Sequence, residues 1–261
     1  METEKKYALV TGGTRGIGYE IAKLLAQNNY NLILIARTES DLEVAAANLR
    51  QWDIEVLTIS KDLFDYPSAY EVYYELDKRN ISPEILVNDA GQGLYGEFKN
   101  TDISSEIDII HLNVVSLVIL SKLFVRDRLG KNGGKILNLS SIASKMPGPW
   151  HSVYHGTKAF VQSFSEAIRE ELKEEGITVT TLLPGPTATD FFNKANMNRS
   201  KILQDKLADP AEVAKDGFLA MMRGDDKVIS GFKNKLQVAM NTFSSEQNAA
   251  HKMGEMQKPA E

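Results

Sequence analysis

A tyrosine followed four residues later by a lysine is the spacing in this chain with the most chemistry in it. On a helix the two side chains lie on one face, a turn apart. A free tyrosine has a pKa of about 10, too high to exchange protons readily near neutrality, and a neighbouring ammonium favours the phenolate. Such a pair can give a proton to a carbonyl oxygen that turns negative as its carbon accepts hydride. The spacing alone selects nothing, because Tyr19/Lys23, Tyr74/Lys78, Tyr95/Lys99 and Tyr154/Lys158 all have it. A second feature is the run Thr11-Gly-Gly-Thr-Arg-Gly-Ile-Gly18. Glycines let a backbone turn tightly beside a pyrophosphate, and a following helix offers free N–H groups and a positive dipole end. No Gly-Lys-Ser/Thr follows, which excludes a triphosphatase loop. A third is Ala36-Arg37, where an acid would hydrogen-bond the ribose of NAD. Arg15 and Arg37 together can clamp a 2′-phosphate through charge-assisted bonds, which predicts NADP(H). The alternative is that Arg37 is a solvated residue paired with Glu39.

These groups need a scaffold, and the apolar periodicity supplies one. Strands are predicted at Tyr7–Thr11, Asn31–Ala36, Glu55–Ile59, Ile85–Asn88, Lys135–Leu139, Thr178–Leu183 and Lys227–Ile229. Helices alternate with them at Gly16–Gln27, Glu39–Gln51, Pro67–Lys78, Ser105–Arg128, Val153–Glu175 and Pro210–Met222. Alternation with apolar strand cores implies an α/β fold, a Rossmann-like doubly wound parallel sheet of about seven strands with helices on both faces. Ligands of such sheets sit at the C-terminal ends of the strands. One domain is expected over residues 1–244. The polar stretch 245–261 is expected to be a disordered tail.

The loop Thr11–Gly18 has the form TGxxxGxG, Asn88-Asp-Ala-Gly91 is close to NNAG, and Tyr154-His-Gly-Thr-Lys158 has the form YxxxK. Together they resemble the short-chain dehydrogenase/reductase family over about Tyr7–Asp190. Asp89 departs from the family asparagine. The resemblance implies a serine thirteen residues before the catalytic tyrosine, at the end of strand five. That singles out Tyr154 and Ser141; the Tyr19 and Tyr74 pairs have Lys6 and Lys61 there, and Ser82, before Tyr95, precedes its strand. Ser140 is the rival, since successive strand residues face opposite sides. The resemblance further implies that Asn113 holds a water for proton relay and that Lys158 also binds the nicotinamide ribose. By the same resemblance Gly12, Thr14, Arg15, Gly16, Ile17, Gly18, Asn88, Ala90 and Gly91 hold the cofactor, and Asp62-Leu63 meets the adenine. Pro184-Gly185 with Thr187 or Thr189 would contact the carboxamide. The activity implied is NADP(H)-dependent hydride transfer to a ketone or aldehyde, or from the alcohol. A dinucleotide-binding regulatory protein without turnover is the alternative, and the intact Tyr–Lys pair speaks against it. The segment Val228–Leu236 departs from the fatty-acid-synthesis ketoacyl reductases and is similar to a bacterial group of broad oxidoreductases.

The remaining sequence narrows the partners. A net charge of −5 argues against nucleic acid. There is no cysteine, which excludes disulfides and thiolate catalysis. His111, His151 and His155 have no metal-ligand spacing and are read as structural or surface residues; no metal is expected. Met1–Lys6 leads directly into a strand, without a secretory signal, so a cytoplasmic protein is expected. The apolar stretch Ile107–Val125 is interrupted by Asn113, Ser116, Ser121 and Lys122, and is expected to fall short of a membrane span. Its apolar residues cover every side of the helix, so a second surface must cover the outer face, with Phe160 and Phe164 as candidates. In the family the two corresponding helices pair across a two-fold axis, which implies a homodimer or homotetramer. Phe191, Phe192, Met197, Met146, Trp150, Leu94 and Tyr95 are expected to line an apolar substrate cleft. Leu236, Met240 and Phe243 are expected to pack on a neighbour or over the site.

Overall fold

The computed structural model describes residues 6–204, 206–241 and 245–259. Seven parallel strands form one sheet in the order β3-β2-β1-β4-β5-β6-β7. They are β1 (Tyr7–Thr11), β2 (Asn31–Ala36), β3 (Val56–Ser60), β4 (Ile85–Asn88), β5 (Gly134–Leu139), β6 (Ile177–Leu183) and β7 (Lys227–Ile229). Period-two alternation divides each strand between two cores. Ala8, Val10, Leu32, Leu34 and Leu137 face α1 (Gly16–Gln27), α2 (Glu39–Leu49) and, further along the chain, α8 (Pro210–Arg223). Leu9, Ile33, Ile35 and Ile136 face α3 (Pro67–Lys78) and the long helix after β4. Both faces are therefore buried, as an all-parallel sheet requires. The order reverses between β1 and β4, and this is where the crevice of such a sheet opens.

The long helix is one 26-residue stretch, Ile103–Arg128. It comprises α4 (Ile103–Ile110), a π-helical segment His111–Ser116 and α5 (Leu117–Arg128). It is longer than the predicted Ser105–Arg128, because Asp102 caps its first turn by accepting from the Ser105 N–H at 2.9 Å. By length and composition it is apolar enough to cross a membrane, contrary to expectation. Its inner face nevertheless packs as a core helix, with Leu120 and Phe124 buried on the sheet. Ile103 and Ile107 remain exposed on the other side. The next helix, α6 (Ser152–Glu171), packs beside α4 and ends four residues early in a short 3-10 turn, Lys173–Glu175.

After β6 come a short helix α7 (Phe191–Lys194), then α8 and β7, α9 (Phe232–Asn241) and α10 (Glu246–Gln257). The last of these corrects the expectation of a disordered tail. Ala249, Met253 and Gln257 of α10 are buried. A spacing of four residues puts them on one stripe, too narrow to register in a polar sequence. Leu236 and Met240 of α9 are exposed; Phe243 lies outside the described residues.

Candidate active site

One cleft of about 1110 Å³ runs along the C-terminal ends of the strands. Its floor is set by where β5 and α6 begin and end. Ser141 leaves β5 in extended geometry, φ −170°, and caps the turn Ile142–Lys145. Its Oγ accepts from the Ala143 N–H at 3.1 Å, donates to the Pro184 carbonyl at 3.3 Å, and lies in hydrogen-bond contact with the Tyr154 hydroxyl. Ser140 turns the other way and donates to the Lys158 carbonyl at 2.8 Å. Both serines border the cleft, but Ser141 is the one whose hydroxyl meets Tyr154.

Tyr154 is boxed by aromatic rings. His151 stacks on it at 4.4 Å between centroids, and Phe191 lies at 5.1 Å. Burial pushes the Tyr154 pKa up to about 12, offset in part by the Ser141 hydrogen bond. Lys158, expected together with the oxidised nicotinamide to favour the phenolate, is not among the groups that lower it here. The Lys158 ammonium lies 5.7 Å from the tyrosine ring centre and donates instead to the Leu139 carbonyl at 2.8 Å. Burial pulls the Lys158 pKa down to about 8, and the Asp89 charge works against that fall. His151 is buried and neutral, its pKa driven down to about 3 by burial and then by His155. Its Nε2 has no hydrogen-bond partner among the described residues. Neither His151 nor His155 is a surface residue. Among the described residues no three metal-ligating side chains cluster.

Asn113 sits in the π-helical segment, a distortion often found at functional sites. It does not line the cleft. Its Oδ1 accepts from the Gln92 N–H at 3.0 Å, and its Nδ2 donates to the Gln92 carbonyl at 2.9 Å and to Thr157 Oγ1 at 3.0 Å. Asn113 thus ties the loop after β4 to α6, with Lys158 immediately beyond Gly91.

The cofactor-binding candidates fall into two groups. Gly12, Thr14, Arg15, Gly16, Ile17, Arg37, Asp62, Leu63, Ala90, Gly91, Pro184, Gly185, Thr187 and Thr189 line the cleft. Gly12 has φ +70°, which favours glycine. The N-cap of α1 makes no side-chain hydrogen bond, and while the Gly18 N–H goes to Asp89, the Gly16 and Ile17 N–H groups open the helix toward the cleft. Asn88 and Gly18 do not line the cleft. Asn88 turns into the sheet and donates to Ser121 Oγ at 3.1 Å and Asn138 Oδ1 at 2.8 Å. Gly18 lies against Asp89, where a Cβ would meet the carboxylate at 2.4 Å. The Asp89 pKa is raised to about 7 by burial, against the pull of Lys158 and the Gly18 N–H. The two arginines do not form a free clamp. Arg15 is paired with Asp41 and, at 3.3 Å, with Asp190. Arg37 lies over the Phe64 ring at 4.9 Å. The uncapped start of α1, a glycine turn and a basic residue at the end of β2 fit a nicotinamide dinucleotide.

At the substrate end Phe191, Phe192 and Met197 line the cleft, as expected. Met146, Trp150, Leu94 and Tyr95, expected there, do not; Met146 packs instead on Met253. Trp150 stacks on Tyr95, whose hydroxyl donates to the Gln257 carbonyl. The sequence reading missed Asn234 of α9 and Met253, Met256 and Gln257 of α10, all at the cleft wall. An i, i+4 check on Ala249, Met253 and Gln257 was the available signal.

A family model described as short chain dehydrogenase matches residues 6–200. The chain belongs to this family, a class of nicotinamide-dependent oxidoreductases. It is 34% identical over 191 residues to a very-long-chain 3-oxoacyl-CoA reductase of Rattus norvegicus, covering 70% of this chain and 60% of that protein. It is 35% identical over 178 residues to the Neurospora crassa protein of the same description, covering 66% and 53%. The chain thus spans little more than half the length of these relatives. Among solved structures it resembles a short-chain dehydrogenase from Sphingobium yanoikuyae in complex with NADPH, with TM-score 0.81, 26% identity, and 92% and 96% of the two chains covered. It also resembles the bulky-bulky ketone specific alcohol dehydrogenase from Comamonas testosteroni, with TM-score 0.77, 27% identity, and 94% and 95% covered. The curated relatives come from an animal and a fungus, so the likeness is not specific to a bacterial group.

Proposed function

We propose that this protein reduces a hydrophobic ketone or aldehyde with NADPH, or oxidises the corresponding alcohol with NADP. The observation that carries the reading is the meeting of the Ser141 and Tyr154 hydroxyls on the cleft floor, with the Lys158 ammonium behind them. The substrate carbonyl oxygen would accept from both hydroxyls, which act as a preorganised oxyanion site. The bound nicotinamide supplies hydride to the carbonyl carbon. The Tyr154 O–H bond then breaks and its proton goes to the oxygen, so a C–H and an O–H bond form as the C=O π bond is lost. Burial that keeps Tyr154 protonated suits it to donate in the reductive direction. Lys158 would hold a positive charge near the resulting phenolate and, with a cofactor bound, would hold the nicotinamide ribose.

Pro184, Gly185, Thr187 and Thr189 would orient the carboxamide, and Asp62 and Leu63 the adenine. NADP preference rests on Arg37 more than on Arg15, because two carboxylates already compete for Arg15. The absence of an acid after Ala36 removes the usual repulsion of a 2′-phosphate. An apolar wall of Phe191, Phe192 and Met197 favours a hydrophobic carbonyl. The ketone-reducing relatives and the NADPH-bound neighbour support the same reading. The test is NADPH oxidation, followed by absorbance, across a panel of ketones and aldehydes. Turnover that Tyr154→Phe abolishes is expected; no turnover with any carbonyl of the panel would overturn the reading.

A further inference from the structure

We infer that α10 is the specificity-determining wall of the substrate cleft, with Met253 and Met256 setting the room for the ketone's substituents and Gln257 latching the helix beside Tyr154. The inference rests on the carbonyl-reduction reading of the site. It concerns a segment beyond the residues that define the family match, which ends at 200.

The C-terminal half of helix α10 reaches the cleft. Met253, only 5% exposed, packs with Met146 and Ala249 in a small cluster separate from both sheet cores. Met253, Met256 and Gln257 line the same cleft as Phe191, Phe192 and Met197, with Met253 and Gln257 buried and Met256 at its exposed rim. Methionine is unbranched and polarisable, so such a wall adapts to bulky apolar groups of differing shape.

The C-terminal end of the helix is anchored where the catalytic helix begins. Gln257 is 3% exposed. Its Nε2 donates to His155 Nε2 at 2.9 Å. His155 Nδ1 faces the Met146 carbonyl at 2.8 Å, so Nδ1 carries the proton and Nε2 is the acceptor of a neutral ring. Burial favours that neutral ring. His155 follows Tyr154 in the chain, so the latch closes one residue from the proton donor. Three further ties hold the same end: Ser200 Oγ donates to the Gln257 carbonyl at 3.1 Å, as does the Tyr95 hydroxyl, and Ser200 bridges to Pro259. The helix therefore connects the segment after β6, the loop after β4 and α6 into one rim around the substrate.

The test is calorimetric titration of NADPH-loaded protein with benzophenone, a ketone bulky on both sides, in a Tyr154→Phe background so that turnover does not intervene. Met253→Trp is expected to weaken benzophenone about tenfold or more by filling the wall. Gln257→Ala is expected to weaken it about fivefold by releasing the latch. Both should keep NADPH affinity within about twofold, since neither residue is among those proposed to hold the cofactor. That retained affinity also reports that each variant is folded. Unchanged benzophenone affinity in both variants would overturn the inference, as would the lack of benzophenone binding before α10 is altered. NADPH oxidation by the wild type is measured separately. Its absence would count against the carbonyl-reduction reading, while the titrations would still decide the role of α10.

Discussion

Replacing Asp89 by asparagine should stabilise the cofactor-free protein at pH 8 and do much less at pH 5. Asp89 stands where the family carries asparagine. Its carboxylate is wedged between Gly12 and Gly18, close enough that a Cβ on either would collide with it. Burial raises its pKa from 3.8 to about 7, with Lys158 and the Gly18 N–H pulling the other way. A pKa raised on folding means that the folded state binds its proton more tightly than the unfolded chain. The stability is then fully present below the unfolded value of 3.8 and is lost as pH rises toward 7. Three units correspond to a penalty of about 4 kcal/mol above pH 7, and roughly one unit to about 1.6 kcal/mol at pH 5. Asparagine carries no such penalty, but it places an amide near the Gly18 N–H and weakens one hydrogen bond, which costs about 1–2 kcal/mol. A net gain of about 2–3 kcal/mol at pH 8 raises Tm by roughly 5–10 °C for a chain of this size. Thermal unfolding followed by circular dichroism at both pH values reads it directly. A variant less stable than wild type at pH 8, or a Tm difference independent of pH, would refute the reasoning.

The other predictions concern the site and the assembly. Ser141→Ala should lower kcat by about a hundredfold by removing a hydrogen bond to the developing oxyanion, whereas Ser140→Ala should cost only about 1 kcal/mol of stability; a dead Ser140 variant would place the strand register one residue off. NADPH should bind about tenfold tighter than NADH, or about 1.4 kcal/mol. Arg37→Asp should reverse that preference, and equal affinities by fluorescence titration would remove the case for Arg37. Reductive kcat/KM should fall as pH rises past about 8, where buried Lys158 loses its proton; a profile flat to pH 10 would show that the ammonium is not needed. Light scattering should give about twice 29.0 kDa, because Ile103, Ile107 and Phe160 leave an apolar outer face on neighbouring helices; a mass near 29.0 kDa would overturn the dimer.

The sheet was legible because each strand is an apolar run bounded by polar turns, and β1, β2, β4 and β7 fall at their predicted limits. The glycine loop and the Tyr154–Lys158 pair were legible because their chemistry demands residue types at short spacing. What the sequence hid was direction and long-range contact. Nothing local says that Asn88 points into the sheet toward Asn138, a neighbour fifty residues away. Nor does it say that Lys158 satisfies its ammonium on the Leu139 carbonyl, which leaves burial to set the Tyr154 pKa. Helix α10 was missed because its composition is polar, with mean hydropathy well below zero, and its three buried residues matter only once Met146, His155 and Tyr95 surround them.

The central claim is that hydride reaches a carbonyl carbon in this cleft while Tyr154 supplies the proton. The direct measurement is a single incubation of the protein with NADPH deuterated on the transferring face of the nicotinamide and benzophenone or another bulky ketone, followed by mass spectrometry of the product. One deuterium on the carbinol carbon with wild-type protein, and no alcohol with Tyr154→Phe, is the predicted result. No alcohol from wild type, alcohol without deuterium, or undiminished labelling in the Tyr154 variant would contradict it.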